Sequence, residues 1–391
     1  MRLFLKITVV VIILIVALVG FAAWKPMAAS RLLWPTLERV MLREPFVGIT
    51  TDGAVREGLF RIESTGASTR AVRNAAQGFL DSLSEEQREN ATFPVDDQEW
   101  RRWANVHVSH RQGVGLLELN EAQTVAAYGL LAASLSARGL QTSRNIMRLE
   151  GHLADLMNDF DQYGEARYWL TIMGEPSLTE PWGWQIDGHH LVINFFVLAD
   201  QVVMTPTFMG SEPPRATTGR FSGVAILEEE LAAGLAFINA LDTHQRAMAI
   251  IDPDKVANNN RGELFQDNAL VAYQGVKLST LTPAQREIGL GLIGLYIGNA
   301  RAEYAEVKMT EILRHWNETR FAWVGGTQPD SVFYYRIHSP VVMIEYDHQL
   351  PVALDGPDLP SRNHVHTVVR TPNGNDYGKD LLRQHLLAHP H

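Results

Sequence analysis

From Ile7 to Ala23 the chain is apolar and uncharged, and Arg2 and Lys6 stand just before that stretch. A run of this kind is either a secretory signal peptide or a single membrane-spanning anchor, and its length is close to the roughly 18 residues that divide the two. The Gly20-Phe21-Ala22 step offers a peptidase site, but Trp24-Lys25-Pro26 behind it favours an uncleaved anchor. Positive residues ahead of the run stay in the cytoplasm and the remainder crosses. The expected layout is a signal or anchor over 1–25, a tether over 26–62, and a single domain over 63–391. That body is expected to be extracytoplasmic, either periplasmic or extracellular, and membrane-anchored or secreted.

Within the body the hydrophobic period changes from helical to alternating and back. Gly58-Leu59-Phe60-Arg61-Ile62 reads as a short strand. Ser84-Glu85-Glu86-Gln87, Asn120-Glu121-Ala122-Gln123 and Thr282-Pro283-Ala284-Gln285 each set a capping residue three positions before a Gln, the capping-box pattern of a helix start. The second predicts a helix from Ala122 to Ala137 with Gly139 as its stop, and another follows from Ser143 to Phe160. No fixed period links the three starts, so they predict no repeat.

Strand patterns then occupy Arg167–Met173, Trp182–Ile186 and Leu191–Phe196, the last two flanking a turn at Asp187-Gly188. Gln201–Thr205 follows. A helical block spans about Ala225 to Asn317, broken by the polar stretch Asn258–Gly262. Strands resume at Phe321–Val324, Phe333–Ile337, Val341–Tyr346 and His366–Arg370. Short links between neighbouring strands require antiparallel pairing, because parallel neighbours need a long crossover. The fold class is therefore α+β, a mainly antiparallel, meandering sheet packed with helices, preceded by one N-terminal membrane or signal helix.

Composition narrows the chemistry. There is no cysteine, which excludes disulfides, thiolate metal sites and a Cys nucleophile. A net charge of −10 without a Lys/Arg block argues against nucleic acid as a partner. Gly-x-Ser-x-Gly, the phosphate-binding Gly-x-x-x-x-Gly-Lys-[Ser/Thr] loop and His-Glu-x-x-His are all missing, so the common serine hydrolase, nucleotide-binding and zincin readings lack support.

Histidines remain. His364-Val365-His366 places two imidazoles on one strand face, a common metal half-site. A third ligand is expected from His189 or His190 in Gly188-His189-His190-Leu191, although neighbours on a regular strand face opposite ways unless a bulge at Gly188 turns one. Glu345, Asp347 or Asp376 offers a carboxylate, Glu345 as fourth ligand or general base. Arg370 shares the alternation of His364 and His366 and is expected to steady an anionic substrate or intermediate. His338, beside Ser339-Pro340, reads as a turn residue. The same residues also admit a structural reading, since paired histidines often do no more than satisfy neighbouring carbonyls.

Trp182-Gly183-Trp184 followed by Gly188-His189-His190-Leu191 and Met204-Thr205-Pro206-Thr207-Phe208-Met209-Gly210 resembles the family catalogued as domain of unknown function 3500. So do Ile344-Glu345-Tyr346-Asp347, His364-Val365-His366 and Asp376-Tyr377-Gly378-Lys379-Asp380-Leu381-Leu382, and the resemblance runs from about Ser64 to the C-terminus. It implies that His189, His190, His364 and His366 are family hallmarks, and it assigns no activity. The expected function is an extracytoplasmic metal-dependent enzyme, a hydrolase acting on a small molecule. It would hold a divalent ion: zinc is favoured, whereas copper or iron would suit oxygen chemistry. The alternatives are a non-catalytic metal- or small-ligand-binding envelope protein and a scaffold whose histidines lie far apart.

Overall fold

The computed structural model describes residues 26–389, so the apolar N-terminal run lies outside the described residues. Among the described residues no helix is long and apolar enough to cross a membrane. The chain forms one large, mostly antiparallel sheet with helices packed on it.

The capping boxes organise the helices. After α1 (Pro26–Met41) come α2 (Arg70–Ser82) and α3 (Glu85–Ala91), then short strands β1 (Thr92–Phe93) and β2 (Val114–Gly115), then α4 (Glu121–Ser134) and α5 (Ala137–Met157). Strands β3 (Tyr168–Met173), β4 (Trp182–Gly188), β5 (Leu191–Leu198), β6 (Gln201–Val203) and β7 (Thr207–Ser211) complete this half. The order then recurs: α6 (Glu228–Ala240), α7 (Thr243–Ala249), β8 (Ile250–Asp252), β9 (Val276–Lys277), α8 (Pro283–Ile297) and α9 (Ala302–Arg314). It ends in β10 (Arg320–Gly325), β11 (Phe333–His338), β12 (Met343–His348), β13 (Val365–Arg370) and a last helix, α10 (Lys379–Ala388).

The two halves repeat their contacts as well as their order. β1 lies parallel to β3, and β8 parallel to β10. β2 and β9 pair antiparallel with those same strands. A fourth capping box, at Asp242 and Gln245, completes the parallel. In the first half Gln123 donates through Nε2 to the Ser82 carbonyl at 3.0 Å and to Gln87 Oε1 at 2.7 Å. In the second, Gln285 donates to the Ala240 carbonyl at 2.9 Å and to Gln245 Oε1 at 2.7 Å. The halves join across β7 and β13, antiparallel at the middle of the strand order β1-β3-β4-β5-β7-β13-β12-β11-β10-β8. The described residues thus fall into two halves of matching element order and strand pairing that meet antiparallel at the centre of the sheet. The expectation of no repeat is corrected: the repeated signal is a pair of coupled glutamine caps, and unequal loops between them erase any fixed period.

Other expectations are corrected as well. Gly139 does not stop a helix. It lies in the first turn of α5, its N–H held by the Ser136 hydroxyl, and a Cβ there would come within 2.1 Å of the Asn299 carbonyl oxygen. The glycine permits the halves to touch: Ser136 N–H donates to Asn299 and Arg301 N–H to Ser134. Gly58–Ile62 is not a strand. β7, buried along its length and pairing with both β5 and β13, was not expected. The stretch read as a tether contributes α1 and a segment that docks on the body, with Trp34, Ile49 and Phe60 buried and Thr50 bridged to Leu270.

Candidate metal centre

β4 runs through Gly188 before the chain reverses, so the turn of the β4–β5 hairpin is His189-His190 and not Asp187-Gly188. In a turn the strand rule of opposite faces does not apply. Both rings come to the same side, their centroids 3.9 Å apart. Glu150 on α5 receives them. His189 Nδ1 lies 2.8 Å from one carboxylate oxygen and His190 Nδ1 lies 2.7 Å from the other.

The other two imidazoles arrive from the second half. His364 and His366 lie at the start of β13, beside β7. Gly210 faces His366 across the strand pair, and a Cβ there would come within 2.8 Å of the imidazole Cδ2, so the glycine makes room for the ring. Phe208 meets His366 edge-on at 4.8 Å. His366 Nδ1 lies 2.6 Å from Glu263 Oε1, and His364 Nδ1 lies 2.7 Å from the Leu350 carbonyl with Glu212 Oε2 at 3.7 Å.

Each of the three rings therefore has an acceptor at Nδ1, which fixes the proton there and turns the Nε2 lone pair inward. The donor atoms of His190, His364 and His366 lie within 4.8 Å of one another. His364 Nε2 and His366 Nε2 stand 2.9 Å apart, and His190 Nε2 is buried without a hydrogen-bond partner among the described residues. Two lone pairs at that separation repel unless a cation or a proton sits between them. All three rings are nearly inaccessible, at 1%, 4% and 6% exposure. A second group, Glu150, His189 and His190, shares one histidine with the first. These buried histidines and carboxylates can hold a metal ion.

Electrostatics agree with neutral rings at His189 and His364 and with anionic Glu150 and Glu263. Burial drives the His364 pKa well down, and the neighbouring imidazoles of His366 and His190 push the same way. Burial takes His189 down to about 3, with His190 adding to the shift and Glu150 opposing it. Burial alone would raise Glu150, but the two imidazoles against it hold the carboxyl well below its ordinary value. Glu263 follows the same logic, lowered by His366 despite burial.

A model of the family described as protein of unknown function (DUF3500) matches residues 65–379. The chain belongs to the DUF3500 family. No curated protein and no solved structure matches it.

Of the sequence candidates, this DUF3500 chain gathers His189, His190, His364 and His366 into one neighbourhood, joined by Glu150. Glu345 and Arg370 are placed against the polar loop. Glu345 accepts the Arg261 and Gly262 backbone N–H groups and the Tyr334 hydroxyl. Asp347, opposite His366 in the strand register, accepts Asn259 and Asn260 N–H and pairs with Lys255 at 3.0 Å. Arg370 donates to the Gly262 and Glu263 carbonyls and pairs with Asp267 and Asp376. Together these groups fix the loop that presents Glu263 to His366. His338 is buried at the end of β11, its ring 4.7 Å from Tyr273. Glu150, Glu212 and Glu263 were missed by sequence reasoning. Glu150 lies mid-helix among ordinary polar residues, and its only signal is that a buried face of α5 carries a carboxylate.

Proposed function

We propose that His190, His364 and His366 hold one divalent transition ion, zinc in the first instance, and that the protein is a metal-dependent hydrolase. The observation that carries the reading is the convergence of three Nε2 lone pairs, each set by an acceptor on the opposite ring nitrogen. Three nitrogen ligands with carboxylates behind them are the arrangement of catalytic zinc sites, where the ion makes bound water acidic and polarises a carbonyl or phosphoryl oxygen. Nitrogen ligands also suit copper and iron, and the supporting carboxylates do not discriminate.

The remaining chemistry belongs to the chain. His189 shares Glu150 with His190 yet stands outside the set of three, and it lines a hollow with His107, Ser109, Arg111, Gln162 and Trp169. We assign that hollow to a polar small-molecule substrate and place His189 at its inner wall. Glu150 would then align a metal ligand and a substrate-facing imidazole at once. The body is read as extracytoplasmic, following the uncharged run Ile7–Ala23.

The test is elemental analysis of the purified full chain, with hydrolysis of a panel of activated esters and phosphoesters measured before and after chelation. The expected result is one ion per chain and an activity that chelation removes and zinc restores. In folded His364→Ala/His366→Ala both should be lost; retention of the ion by that variant refutes the assignment. The near-complete burial of the rings favours a second reading, a protein that sequesters an ion without turnover. Cobalt substitution separates the two. An open coordination position gives a visible spectrum that shifts on adding azide, whereas a filled sphere does not respond.

A further inference from the structure

α1 packs on the body through Trp34, whose ring lies 5.7 Å from that of Phe265, and buried Leu42 just past its end continues this face, with Glu38 between them half-buried. Its remaining apolar residues do not follow this face. Leu33, Leu37, Val40 and Met41 are 47%, 47%, 62% and 40% exposed, although all four are large and hydrophobic. They stand at i, i+4, i+7 and i+8, which at 3.6 residues per turn gathers them on an arc of about 100° beside the docked face. Leu32, also exposed, extends the arc on its outer side, where exposed Arg39 and Arg43 border it.

We propose that this outer arc of α1 lies on a lipid bilayer and holds the domain against the membrane surface. Two observations choose lipid over another protein. The chain immediately ahead of the helix, Ile7–Ala23, carries no charge and is apolar throughout, so α1 starts where a membrane-seeking segment stops. The arc is also edged by arginines, whose guanidinium groups meet lipid phosphates while their alkyl stems lie along the apolar boundary. A helix of this kind rests in the interfacial plane. With Trp34 and Leu42 fixing it to the body, the orientation of the domain over the bilayer is fixed too.

The absence of cysteine makes the test clean, because a single introduced thiol carries the only label. The full chain is reconstituted in vesicles of phosphatidylcholine with a minority of phosphatidylglycerol. Nitroxide labels are placed at Leu33→Cys, Leu37→Cys and Val40→Cys, with exposed Leu117→Cys on the body as reference. Collision with oxygen, which concentrates in lipid, is compared with collision with a water-soluble nickel chelate. The expected oxygen-to-nickel ratio at 37 and 40 exceeds that at 117 several-fold. Equal ratios at all sites overturn the proposal. So does dipolar broadening between Leu37→Cys labels that vanishes on dilution with unlabelled chain, which would make the arc a contact between two copies. A Leu33→Ser/Val40→Ser background supplies the second arm: the label at 37 should move towards the reference value while circular dichroism stays unchanged.

Discussion

Glu150→Gln is the sharpest perturbation of the centre. The carboxylate is 2% exposed and accepts an N–H from each of two adjacent imidazoles, at 2.8 and 2.7 Å. An amide of the same shape has one acceptor oxygen and one NH2 group, so it can serve only one ring. The other ring must move its proton to Nε2 or turn a nitrogen onto a donor. If that ring is His190, the lone pair needed by the ion is lost; if it is His189, the substrate-side imidazole loses its orientation. Removing a supporting group of this type costs about 10- to 100-fold in metal affinity, which is about 1.4–2.7 kcal/mol. The assay is competition for zinc against a chromophoric chelator at neutral pH, with near-ultraviolet circular dichroism to establish that the variant is folded. A folded Glu150→Gln whose zinc affinity stays within twofold of the parent refutes the argument that this carboxylate sets the tautomer of His190.

Further outcomes follow from the same geometry. The proposed ion is bound by one residue of the first half and two of the second, so zinc at a hundred times its Kd should stabilise the fold by about 2.7 kcal/mol; thermal unfolding should show this in the parent and not in His190→Ala. Gly139→Ala drives a methyl group into the Asn299 carbonyl where the halves meet and should cost about 1–3 kcal/mol in urea unfolding; an unchanged midpoint would mean that the junction yields freely. Burial lowers His338 and His348 from 6.5 to about 3. The unfolded chain binds their protons first, so stability is full above pH 6.5 and is lost as pH falls towards 3. His338→Leu should flatten that decline in the metal-free protein, measured as urea midpoints at several pH values.

The strand periods and capping boxes carry much of the fold on their face, because alternation and caps are local signals. β3, β4, β5 and the four strands from β10 to β13 fall where the hydrophobic alternation puts them, within a residue or two at the ends. What is hidden depends on contacts between distant residues. Gly139 reads as a helix stop because a missing side chain is ambiguous until the opposing Asn299 backbone is known. The repeated order of the halves is hidden for a similar reason: the members of the pairs Gln87–Gln123 and Gln245–Gln285 are far apart in sequence and meet only after folding. At the centre, His-x-His declared itself by spacing. His189-His190 reads in sequence as a pair facing opposite ways only because the turn signal at Asp187-Gly188 falls two residues ahead of the actual reversal.

The stretch from Thr217 to Gly223, exposed except at half-buried Phe221, lies between the two halves in sequence. A single cut there would leave His190 on one polypeptide and His364 with His366 on the other. The fragments would still share the β7–β13 seam, but coordination would demand that both be present. Reassociation of such a nicked molecule should then be titratable with zinc, turning the ion from a passenger of the fold into a rivet between its parts.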